Sequence, residues 1–65
     1  MYHTITIEIK QQNEHCQLHN VYVRYTGEPA QLHSMALSLD EAKILAVDII
    51  IKNTDCKAVI LLDTF

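Results

Sequence analysis

The sequence predicts a small α+β domain: a single-layer antiparallel or mixed β-sheet, ordered β-β-(β)-α-β along the chain, with one amphipathic helix packed on one face. Three observations predict it. Residues 2–10 and 20–25 alternate apolar and polar side chains with the period of two that a half-buried strand requires. Residues 38–53 carry the start and stop signals of a capped helix. Residues 58–62 form an unbroken apolar run, Ala58-Val59-Ile60-Leu61-Leu62. The 65 residues are expected to form one domain, 1–65, near the size at which burial on folding barely offsets conformational entropy.

In the first strand His3, Ile5, Ile7 and Ile9 point one way and Thr4, Thr6, Glu8 and Lys10 the other. A polar string from Gln11 to His15 interrupts the pattern, and Cys16 to Thr26 resumes it, with Val21, Val23 and Tyr25 opposite Asn20, Tyr22 and Arg24. The two strands are expected to pair as an antiparallel hairpin. The apolar parity changes between Leu18 and Val21, so either a bulge sits near His19 and Asn20 or the strand proper begins there. Thr26-Gly27-Glu28-Pro29 is the strongest turn signal, because glycine accepts positive φ and proline removes a ladder donor. Ala30 to Leu37 is read as a short third strand or a loop packed over the core.

Ser38 and Glu41 form an S-x-x-E capping box, which starts the helix at Leu39. Asp40 and Glu41 suit its positive end and Lys52 its negative end, and Asn53 is placed to take a left-handed stop. At about 100° per residue, Leu39, Ala42, Leu45, Ala46, Ile49 and Ile50 share one broad face. Ile44, Val47 and Ile51 fall on a separate flank, and Glu41, Asp48 and Lys52 form a polar seam. One small core needs only one stripe. The second is therefore covered by residues 30–37 or Phe65 of the same chain, or by another molecule, for which a homodimer is the commonest form. The last strand, Lys57 to Asp63, is expected either inside the sheet or with its outer face against a partner. If it pairs parallel to the strand before the helix, the crossover is expected to be right-handed.

Apolar residues make up 49% of the chain, with one Gly and one Pro, a composition that excludes disorder and leaves little linker material. Net charge is −3 and Lys10, Arg24, Lys43, Lys52 and Lys57 are scattered, so nucleic acid is a disfavoured ligand. The start Met-Tyr-His-Thr resembles no secretory leader, and no stretch approaches the roughly 20 apolar residues that span a bilayer. A soluble, cytoplasmic protein without a membrane partner is expected. Two cysteines, Cys16 and Cys56, are too few for a secreted disulfide framework and are read as reduced thiols, although both begin predicted strands and could lie close together.

Chemistry-bearing patterns are sparse. His15-Cys16-x-x-His19 has metal-ligand residue types but lacks the second pair that zinc sites show, so ordinary loop or edge histidines are expected, with no metal and no cofactor. No G-x-S-x-G, phosphate loop or H-E-x-x-H occurs, no catalytic residue is assigned, and a non-enzyme is expected. Tyr22 and Arg24 share the polar sheet face with Thr4, Thr6 and Glu8, and an aromatic beside an arginine is a common interface anchor. The candidate partner or dimer interface is thus Ile44, Val47, Ile51, Tyr22 and Arg24.

The phrase Ser38-Leu39-Asp40-Glu41-Ala42-Lys43, after strands and before an apolar strand, resembles the strand-helix-strand core of many small phage and mobile-element proteins. Anti-CRISPR inhibitors of this size, and antitoxin subunits with a partial ribonuclease-H-like fold, are similar in element order. No family is assigned and no functional residue is carried over; the helix flank and composition lead to a non-enzymatic protein-binding module, expected to be a phage- or mobile-element-type inhibitor or adaptor that occludes or bridges a protein partner as a homodimer. The alternative reading is an antitoxin-like or RNA-associated regulator.

Overall fold

A computed structural model describes residues 3–63; Tyr2 and Phe65 lie outside them, as does the side chain of His3. Alternation in β1 (His3–Gln11) sends Ile5, Ile7 and Ile9 to one face, where all three are fully buried. β2 (His19–Tyr25) pairs with it antiparallel, Ile7 opposite Val23 and Ile9 opposite Val21, so a second buried row lies beside the first. Tyr25, of the same parity, is at the strand's end and stays exposed. The change of parity between Leu18 and Val21 resolves as a strand start at His19.

Gly27, with φ of 79°, turns the chain after β2. The turn is tied to β1 because the Thr26 hydroxyl accepts from the Thr4 amide at 2.7 Å and donates to the Thr4 carbonyl at 3.1 Å. Residues 31–36 then form a strand, β3 (Gln31–Ala36), antiparallel to β2 with a register irregularity at Val21/Tyr22.

Helix α1 (Leu39–Lys52) begins where the capping box places it, with the Ser38 hydroxyl accepting from the Glu41 amide at 3.1 Å. Ala42, Ala46 and Ile49 are buried against the sheet, and Leu39, Leu45 and Ile50 are half-buried at the edges of that contact. The expected left-handed stop at Asn53 does not occur, since its φ is −127°. Hydrogen bonds end the helix there instead: the Asn53 amide donates to the Ile50 carbonyl at 3.1 Å, and its side-chain amide to the Ile49 carbonyl at 2.7 Å.

β4 (Cys56–Asp63) completes a four-stranded mixed sheet of order β3-β2-β1-β4. It pairs parallel to β1 rather than to β3, and it is an edge strand rather than an interior one. The reason is which edges are free. β2 occupies one side of β1, and α1 carries the chain diagonally from the β3 edge across the sheet, so the open side of β1 receives the last strand. No helix among the described residues is long and apolar enough to cross a membrane.

Ser38→Ala removes the acceptor for the first-turn amide and is expected to cost about 1 kcal/mol in urea unfolding, with Ser38→Asp close to wild type.

Candidate functional site

Parallel pairing aligns Ala58, Ile60 and Leu62 of β4 with Ile5, Ile7 and Ile9, on the face that bears the helix. The isoleucines of β1 are covered by α1, but Ile60 and Leu62 remain 44% and 55% exposed. The helix packs mostly on β2 and β3 and touches β1 and β4 less, so the inner face of β4 is only partly covered. Between α1 and β4 runs an open cleft of about 290 Å³, floored by Ile9, Ile60 and Leu62 and walled by Lys43, Ala46 and Val47.

Val47 joins this cleft to the second helix stripe. Ile44, Val47 and Ile51 are 69%, 51% and 64% exposed, and no described residue folds over them: residues 31–36 are a strand at the opposite edge, and Phe65 lies outside the description. Helix flank and inner face of β4 thus form one apolar band at one side of the molecule. Exposed apolar surface of this continuity is the ordinary mark of an interaction site.

The other sheet face is mixed: Thr4, Thr6, Glu8, Tyr22 and Arg24 share it with the exposed apolar side chains of Leu32, Met35, Val59 and Leu61. Register places Arg24, Thr6 and Val59 in one cross-strand row and Tyr22, Glu8 and Leu61 in the next. Tyr22 and Arg24 do come together, lining a shallow hollow of about 130 Å³ with Thr6, Glu8, Ala30 and Leu61. The cation nearest the tyrosine ring is Lys10, 5.8 Å from its centroid, and Lys10 also pairs with Glu8 at 3.7 Å.

The remaining candidates do not converge. His15 is exposed and contacts Glu14 at 3.3 Å, whereas His19 is buried with Nδ1 2.6 Å from the Gln17 carbonyl. Cys16 is not the start of a strand; it lies in the β1–β2 connection, where its sulfur accepts from the Leu18 amide at 3.4 Å. Cys56 opposes His3 at the far end of β1, while Gln11 at the near end holds the Cys16 carbonyl at 3.0 Å. Eight residues of strand, roughly 26 Å, therefore separate the two thiols, and both are free. No group of three or more His, Cys, Asp or Glu gathers to hold a metal among the described residues.

Sequence reasoning separated the exposed helix flank from the core face but did not place Ile60 and Leu62 beside it. The signal was present in the run from Ala58 to Leu62, which is apolar at both strand parities. Comparison with protein families, curated proteins and solved structures finds no match, so geometry alone carries the functional reading.

Substitutions should separate flank from core. Ile49→Ala is expected to destabilise the protein by about 2–4 kcal/mol, whereas Ile44→Ala and Val47→Ala should each stay within about 0.5 kcal/mol in chemical unfolding.

Proposed function

We propose that the protein is a non-enzymatic protein-binding module whose working unit is a homodimer and which occludes or bridges a protein partner. The observation that supports this reading is the single apolar band formed by Ile44, Val47 and Ile51 on α1 together with Ile60 and Leu62 on β4. Burying such a band is favourable in proportion to its area, about 25 cal/mol per Å². Its aliphatic side chains offer no donor or acceptor for bases or phosphates and suit the apolar anchors of another protein. The face carrying Tyr22 and Arg24 is a second, smaller contact surface, where Glu8 between the cations opposes a polyanion. A phage- or mobile-element-type inhibitor, acting in the cytoplasm, is the class of module this economy of chain suits; an antitoxin-like or RNA-associated regulator is the reading against which it is set.

Affinity capture from the source cell tests the reading, with wild type and Ile44→Glu/Ile51→Glu as paired baits. The expected result is a stoichiometric protein retained by wild type and lost from the variant, with both baits folded by circular dichroism. Tyr22→Ala/Arg24→Glu should reduce the yield less. Equal capture by all three baits, or nucleic acid as the retained species, would overturn the proposal.

A further inference from the structure

We infer that β4 is the seam of a two-fold homodimer, in which the β4 strands of two copies pair antiparallel about Ile60 to make one continuous eight-stranded sheet. This deepens the binding reading above and rests on it for the role of the apolar band. Three observations carry it.

The first is the edge itself. β4 is terminal in the sheet order, eight residues long, free of Pro and Gly, and 42–55% exposed at Val59, Ile60, Leu61 and Leu62. Among the described residues no strand pairs with its outer side, and nothing along its middle discourages pairing. At the other edge β3 follows Pro29 and meets β2 with an irregular register, features that blunt an edge.

The second is self-complementarity. Antiparallel pairing about Ile60 sets Lys57 against the partner's Asp63, Ala58 against the partner's Leu62 and Val59 against the partner's Leu61. Both charged ends are thereby matched, twice per dimer by symmetry. Centring on Val59 would set Lys57 against the partner's Leu61, and centring on Leu61 would set Asp63 against the partner's Val59. Lys10 neighbours Asp63 within its own sheet, so the row through the seam reads Lys10, Asp63, the partner's Lys57.

The third is the placement of the helix. A two-fold axis normal to the sheet keeps like faces together, so both helices lie on one side, each displaced from the seam. Helices centred over β2 in each copy would sit five strand spacings apart, roughly 24 Å, against the 8–10 Å of helices in contact. The seam thus closes without a clash, and the two clefts between α1 and β4 merge into one apolar groove. Self-association consumes the strand edge while the helix flanks stay available to the protein partner.

Charge reversal tests the register. Lys57→Asp and Asp63→Lys should each weaken self-association about tenfold in sedimentation equilibrium at low salt, since each converts two attractive cross-strand pairs into repulsive ones. The double swap Lys57→Asp/Asp63→Lys should restore wild-type affinity. In a Cys16→Ser/Cys56→Ser background, Ile60→Cys should form a self-disulfide on mild oxidation, because directly opposed strand residues lie within disulfide reach. A monomeric wild type at several hundred micromolar, a double swap no tighter than the single variants, or self-disulfides formed as well by Ala58→Cys or Leu62→Cys would overturn the seam. A folded monomer that still captures the protein partner removes the seam alone, whereas a seam dimer that captures none removes the binding reading alone.

Discussion

One helix cannot cover four strands, and the rest of this structure follows from that constraint. Strands spaced about 4.8 Å apart give a sheet roughly 15–20 Å wide, whereas a helix with its side chains is about 10–12 Å across. The helix must choose which strands to cover, and its two inner alanines seat it over the buried rows of β1, β2 and the end of β3. β4 is left with its inner face only partly covered, and the apolar residues that would meet a second helix meet solvent instead.

The choice has an energetic consequence. Ile5, Ile7, Ile9, Val21, Val23 and Ile49 are the large aliphatic side chains the described fold buries, and the alanines facing them add little area. At roughly 1.5–3 kcal/mol for each buried side chain, such a core leaves a small margin over the entropy of ordering a chain this short. Local devices supply part of the difference: the Ser38 cap, the Asn53 hydrogen bonds at the helix end, the Asp48–Lys52 pair at 3.0 Å and the Thr26 tie between turn and β1. Each contributes modestly, since caps and exposed ion pairs are worth at most about 1–2 kcal/mol. The apolar surface left open on β4 and the helix flank, 42–69% exposed at its large side chains, is surface whose burial would add stabilisation.

How much of this was legible in the sequence depends on whether a feature is local. Alternation at Ile5, Ile7 and Ile9, the phase of the helix, its start at Leu39 and its two apolar stripes are set by neighbours a few residues away, and the periodicity reports them directly. Strand order is not local. Ala58 to Leu62 is apolar at both parities whether it lies between two strands or waits for a partner, so the run could not say that β4 sits at an edge beside β1. The same blindness joined Cys16 and Cys56, which share a place in a strand pattern but lie at opposite ends of the sheet. Asn53 shows the opposite case: a residue suited to left-handed geometry keeps a φ of −127° and ends the helix by hydrogen bonds to Ile49 and Ile50. Tyr22 and Arg24 were correctly put on one face, but Lys10, drawn beside Tyr22 only by the register of the hairpin, could not be read from spacing alone.

The two edges of the sheet also bear on the assembly proposed for β4. A sheet with two receptive edges grows without limit, because each added copy presents a fresh edge. Here the β3 edge is interrupted where its register with β2 shifts, next to His33 and Ser34, which are hydrogen-bonded to each other at 3.0 Å, although Leu32 and Met35 on the same strand are exposed. β4 alone is regular, and pairing it with itself uses the receptive edge of both copies at once. Antiparallel pairing about a two-fold axis therefore closes, leaving only blunted edges outside. Lys57 and Asp63 at the ends of the apolar run add the directionality that closure needs: a parallel, in-register stack of β4 strands would place lysine on lysine and aspartate on aspartate, the like-charge arrangement that a growing fibre must accept and a closed pair avoids.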